Sequence, residues 1–297
     1  MPDTREQLLT STFWSIRRPK FPLTEGHFVI RLNDPSIAFG PESAADLLHC
    51  YGELRRALTD LVGATAAQLY ISRNWQPVGD AIGEPIAETS TPSLHTFFVW
   101  PGSPTPAAAL TRPAHRRIAA KSAGDVDEEL GRWLALATAA TEPGTETTPP
   151  APEHSPALEP LESPVAGPES PAGSEGWQNR SFLVAPVDPA PGESMGAGQW
   201  SASPHSAVDS LDRMSLEALL ELVHGIENLA WESSPRHVGM SVWATDLWAI
   251  SMSINIFARE HGNDGRLTAF VNAGGLDLPL SSRTVRTSTS PSPTVEK

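Results

Sequence analysis

Apolar residues recur at helical spacing from Leu47 and Leu48 through Tyr51, Leu54, Leu58 and Leu61, within a stretch running from Ala44 to Val62. That period predicts an amphipathic helix, and Pro41, Glu42 and Ser43 supply its start. A short apolar run at Leu69, Tyr70 and Ile71 predicts a strand over 67–72. Leu94-His95-Thr96-Phe97-Phe98-Val99, closed by Gly102, predicts another over 94–100. An earlier strand is expected at Gly26-His27-Phe28-Val29-Ile30-Arg31-Leu32, ended by the turn residues Asn33, Asp34 and Pro35. A further helix is expected near 126–140, with Val126, Leu130, Trp133, Leu134 and Ala137 on one face. Residues 1 to about 20 read as a lead-in.

The same order returns at an offset of 172. Leu219 and Leu220 open a helical stripe through Val223, Ile226 and Leu229, and Met240-Ser241-Val242-Trp243 follows as a strand. Arg266 to Val271 then ends at Gly274, and Thr96, Phe98, Val99 and Gly102 match Thr268, Phe270, Val271 and Gly274 identically. Ser181 to Pro186 parallels the first strand. A repeated order at constant spacing predicts a duplicated unit. The copies differ at one telling place, where His95 corresponds to Leu267.

Composition sharpens the domain picture. The 297-residue chain is 39% hydrophobic, enough for a core, and carries 29 prolines. Residues 141–176 hold nine of these prolines and seven glutamates without Lys or Arg. Such a segment cannot bury enough surface to offset its ordering entropy, so a disordered linker is expected there. A disordered tail is expected at 283–297. The expected division is therefore a first unit over 1–140 and a second over 177–282. The net charge of −14 argues against nucleic acid and anionic membranes as partners. Neither a signal peptide nor an apolar run of about 18 residues is present, so a cytoplasmic location is expected. Cys50, the single cysteine, sits in the helix stripe and reads as a buried small hydrophobe. No Cys pair exists for a structural metal, and neither a metal nor a cofactor is expected. Gly79-Asp80-Ala81-Ile82-Gly83 lacks the length and following helix of a phosphate loop.

His27 begins one strand, His95 lies inside another, and Asn74 follows the middle one. Pairing of these strands in one antiparallel sheet would bring the three together. The cluster Arg17-Arg18-Pro19-Lys20 reads either as a solvated face or as a phosphate neutraliser.

The stretch from Pro22 to Gly102 resembles a histidine-triad (HIT) domain. Gly26-His27-Phe28-Val29-Ile30 is similar to the family's opening segment. Ser93-Leu94-His95-Thr96-Phe97 is similar to its His-φ-His-φ-His strand, with the middle histidine retained, Ser93 at the first place and Phe97 at the third. Two such units in one chain resemble the galactose-1-phosphate uridylyltransferases and related nucleotide phosphorylases. The resemblance implies an α+β fold of two HIT-like units, each an antiparallel sheet with a long helix, joined as an intramolecular pseudo-dimer. It implies a nucleotidyltransferase, phosphorylase or hydrolase acting on a nucleotide-sugar or dinucleotide. His95 would be the nucleophile that forms a nucleotidyl-histidine. Asn74, Ser93 and Thr96 would donate to phosphate oxygens, and His27 would orient His95 or contact the nucleotide. Arg73, Arg31 or Lys20 would offset phosphate charge. The other reading is a catalytically decayed HIT fold that binds nucleotides or acts as a scaffold.

Overall fold

The computed structural model describes residues 7–19, 22–73, 93–103, 124–141, 176–187, 199–232, 237–248 and 250–260. Among these residues, ten strands form one antiparallel sheet, and three helices accompany it. In chain order these are β1 (Gln7–Thr10), β2 (Trp14–Arg17), β3 (His27–Leu32), α1 (Pro41–Val62), β4 (Ala66–Arg73), β5 (Ser93–Val99) and α2 (Gly124–Thr141). They continue with β6 (Trp177–Gln178), β7 (Phe182–Pro186), β8 (Gln199–Pro204), a short 3-10 turn at Leu211–Arg213, α3 (Leu216–Glu232), β9 (His237–Asp246) and β10 (Ser253–Glu260).

The strand order is β1-β2-β3-β5-β4-β9-β10-β8-β7-β6. Read outward from the β4–β9 seam, both halves follow one plan: a central strand, its hairpin partner, then three strands in reverse chain order. All pairings are antiparallel.

Alternation along the strands gives the sheet two faces. One face carries Phe28, Ile30, Leu69, Leu94, Phe98, Val242, Ala244, Ile254 and Ile256, all in the core beneath the helices. The expected stripe of α1 supplies Leu47, Tyr51, Leu54 and Leu58 to that core, and α3 supplies Leu219, Leu222 and Ile226. Pro41 opens α1, where its missing N–H costs nothing, and the Gly40 N–H is satisfied by Ser43 Oγ at 2.9 Å. Gly63 ends the helix at φ 67°, a left-handed cap that a side chain would strain. Asp246, at the end of β9, accepts from Tyr51 Oη of α1 at 2.6 Å, from Ser210 Oγ at 3.1 Å and from the Leu211 N–H at 3.1 Å. This buried carboxylate ties the two halves together, and burial raises its pKa.

Three expectations change. The first twenty residues are not only a lead-in. They contain the β1–β2 hairpin, held to α1 by Asp46, which accepts from the Phe13 N–H at 2.7 Å. The strand at His27 is the third of the described strands, and in the strand order its opposite number is β8, not the segment at Ser181–Pro186. The constant offset also fails after β9. Only six residues join β9 to β10, whereas nineteen join β4 to β5, so the strand in β5's position is Ser253–Glu260. Leu267, the expected linker and the expected tail lie outside the described residues, apart from their outermost positions within α2 and at Gly176.

Candidate active site

The face away from the helices is equally buried and chemically different. Val29, His95, Tyr70, Trp243, Asn255 and Ser201 stand in one register row across six strands. Beside that row, His27 pairs with Phe97, Phe97 with Gln68, and Gln68 with Thr245. His27, His95, Phe97, Gln68, Tyr70, Trp243, Thr245, Asn255 and Gln199 are all buried.

The start of β3 is placed by close backbone approach. A Cβ on Gly26 would lie 1.9 Å from the Phe98 carbonyl oxygen, so only glycine fits there. The Arg18 guanidinium donates to the His27 carbonyl at 3.0 Å and is ion-paired with Asp127 of α2. Arg18 is buried, so neither a solvated face nor a free phosphate cation describes it.

His27 and His95 meet directly, with His27 Nε2 lying 3.0 Å from His95 Nδ1. The backbone fixes which nitrogen carries the proton. The Leu23 N–H donates to His27 Nδ1 at 3.1 Å, so that nitrogen holds a lone pair. A neutral His27 then carries its proton on Nε2 and donates to His95 Nδ1. A neutral His95 in turn carries its proton on Nε2, a buried atom with no hydrogen-bond partner. Both rings are held neutral. Burial lowers His95 to about 3, and burial, with the nearby His95 and Arg18 charges, takes His27 well below 6.5. The His27 ring stacks on Phe97 at 4.3 Å, and Phe97 stacks on Trp243 at 5.9 Å.

Among the expected site residues, His27, His95 and Ser93 share this face. Thr96 does not reach it. One residue from His95, it turns toward the helices, and its Oγ1 donates to the Phe28 carbonyl at 3.3 Å. Arg31 pairs with Ser93 across β3 and β5. Arg73 ends β4, and its side chain is outside the described residues, as are Asn74 and Lys20. Burial, with the nearby Asp46 carboxylate adding to it, pushes the Cys50 thiol up to about 12, so it offers no thiolate.

Sequence reasoning missed Tyr70, Trp243, Gln199 and Asn255 on this face. Trp243 Nε1 and both side-chain polar atoms of Gln199 are buried without partners. The available signal was polar alternation in β8 and β10, Gln199-Trp-Ser201-Ala and Ser253-Ile-Asn255-Ile, a pattern that places polar groups opposite an apolar core face.

No protein-family model matches the sequence, and no curated protein does. Among solved structures, the chain is similar to a GalT-like protein from Arabidopsis thaliana. The alignment covers 91% of this chain and 82% of that one, with 10% identity and a TM-score of 0.45. It is also similar to an ADP-glucose phosphorylase from Arabidopsis thaliana with bound ADP-glucose, over 91% and 80% of the two chains, at 10% identity and a TM-score of 0.42. A uridylyltransferase aligns over 78% of this chain and 62% of its own, with 10% identity and a TM-score of 0.37.

Proposed function

We propose that this chain is a nucleotide-binding protein of HIT-like architecture, in which His95 contacts phosphate as a hydrogen-bond donor. Two units, 1–140 and 177–282, would form an intramolecular pseudo-dimer about the Tyr70–Trp243 pair. The mirrored strand order supports that arrangement.

One observation carries the functional reading: the relay from the Leu23 N–H through His27 to His95 leaves a buried, unpartnered N–H at His95 Nε2. An N–H there suits a phosphate oxygen. It does not suit attack on phosphorus, which needs a lone pair at the attacking nitrogen. Reversing both tautomers would set the Leu23 N–H against a protonated His27 Nδ1. Leaving that buried donor unsatisfied costs about 1–3 kcal/mol.

The second reading is nucleotidyl transfer through His95, and the orphaned Nε2 is also what favours it, because that nitrogen alone of the relay's four is uncommitted. One experiment separates the two. The purified full chain is incubated with labelled UDP-glucose and ADP-glucose, and its melting is followed against a panel of UDP, ADP and GDP. Binding predicts stabilisation of about 2.7 kcal/mol at ligand 100-fold above Kd, without an adduct, and its loss in His95→Phe. An acid-labile, alkali-stable adduct that is lost in His95→Ala would establish transfer instead. No response to any nucleotide would end both readings.

A further inference from the structure

The helix side of the seam contains a cavity of about 70 Å³, under α3 and the start of α1. Two neighbouring register rows form its floor. Leu94, Ile71 and Val242 make one, and Leu69, Ala244 and Ile254 make the other. Leu47 of α1 and Leu222 and Ile226 of α3 form its roof. Both halves of the chain therefore contribute, and the floor crosses the seam at the Leu69–Ala244 pair. It spans β5, β4, β9 and β10, three strand spacings or roughly 14 Å.

Protein interiors keep few voids larger than a water molecule. This one has more than twice a water's share of liquid volume, which is about 30 Å³. Among the described residues no polar atom lines it, so a water inside would lack partners. The smallest lining side chain, Ala244, sits in the middle of the floor with Leu69 and Ile254 on either side. One larger residue there would close much of the space. Three lining residues, Phe39, Ile71 and Val223, stay part-exposed, so the cavity reaches the surface beside them.

We propose that this cavity is a binding site for the end of a linear aliphatic chain carried by a small molecule. Apart from Phe39 at the opening, the lining is aliphatic or thioether. It offers dispersion contact and nothing to hold a charge or an amide. A dry void gives that contact without displacing an ordered water. Scaled to an apolar cavity of about 150 Å³ that admits benzene, the space takes roughly three carbons. A small volume over a floor four strands wide suits a chain better than a cage. The polar head would stay outside, past Phe39, Ile71 and Val223. The site lies on the opposite face of the sheet from His95, and it goes beyond the nucleotide reading without resting on it.

The test compares chains with a cage. Melting and calorimetry of the full chain are run with octanoate and 1-octanol, below their aggregation limits, and with 1-adamantanecarboxylate. Both linear ligands should raise the melting temperature and bind comparably, because the cavity has no polar group to favour either head. The cage should do neither. Ala244→Val should weaken both chains roughly tenfold, the worth of two buried carbons. It should also raise the melting temperature of the unliganded protein, because it fills space. A closely packed Ala244 would give the reverse, since overpacking destabilises. Leu222→Phe is the second variant, with the same expected directions, and it decides the matter if Ala244→Val does not fold. Phenylalanine is the poorer helix former, so a rise there comes from filling. Leu136→Ala, exposed on α2, should change neither chain. A lower melting temperature in both variants, or chain binding undiminished in them, overturns the inference. So does a cage that binds as tightly as the chains, or no chain binding at all. The nucleotide panel reads the other face, so either result stands without the other.

Discussion

The two faces of the central sheet are buried alike and built differently. Beneath the helices, Phe28, Phe98, Leu54 and Ile256 belong to one hydrophobic core. On the other side, histidines, glutamines, Asn255 and Trp243 are just as inaccessible, and several of their polar atoms lack partners. Apolar burial stabilises a fold in proportion to area. Buried unpartnered polar groups do the reverse, and real proteins accept that cost where a ligand is to be met. The first face holds the molecule together, and the second is where its buried unpartnered side chains His95, Gln199 and Trp243 are gathered.

The largest expected effect breaks the first face. Phe98 packs against Phe28 at 6.3 Å and Tyr51 at 6.0 Å, and it is 1% exposed. Phe98→Ala should cost about 3–5 kcal/mol in urea unfolding, from lost burial and the cavity left behind. A loss below about 1 kcal/mol would mean that this face is not the core.

The second face should reveal itself through acid. His95 titrates at about 3 in the fold and His27 well below its usual value, against 6.5 when unfolded. A buried base held neutral contributes fully above pH 6.5. That contribution is lost as pH falls, because the unfolded chain takes up the proton first. Each histidine should cost about 1.4 kcal/mol per pH unit, or about 2 kcal/mol by pH 5. Asp246, with its raised pKa, works in the opposite sense at the acid end. His95→Asn copies the residue of the second half and still accepts from His27 Nε2. It should flatten the slope between pH 6.5 and 5 by about half. An unchanged slope would mean that His95 is not buried neutral.

How far the sequence disclosed these two faces follows from their physics. The helix-facing core was legible because a 3.6-residue period and short apolar runs are local signals, and α1, α2, β4, β5 and β9 fall where those patterns put them. The meeting of His27 and His95 was legible because antiparallel pairing of their strands was expected. The β1–β2 hairpin was not, since four-residue strands carry almost no period of their own. The opposite number of His95 was misread because one offset was carried across loops of unequal length, which a repeat does not conserve. Gln199 was invisible for a further reason: its unpartnered amide is defined by what it does not contact, and that exists only once the sheet is assembled.

The smallest expected effect tests alternation itself. Thr96 and Ser93 both flank His95, and a sequence view makes them equal candidates for phosphate. The pleat separates them. Ser93 lies two residues away and shares the face of His95, whereas Thr96 lies one residue away and faces the helices. The Thr96 hydroxyl spends its hydrogen on the Phe28 carbonyl at 3.3 Å, a long bond to an oxygen within the β3–β5 ladder. Thr96→Val keeps the shape and removes that bond, so it should cost no more than about 1 kcal/mol. It should also leave nucleotide-induced stabilisation as in the parent. Ser93→Ala should change stability as little and reduce that stabilisation. The opposite pattern, with Thr96→Val abolishing the response and Ser93→Ala sparing it, would place the ligand among the helices and reverse the roles of the two faces.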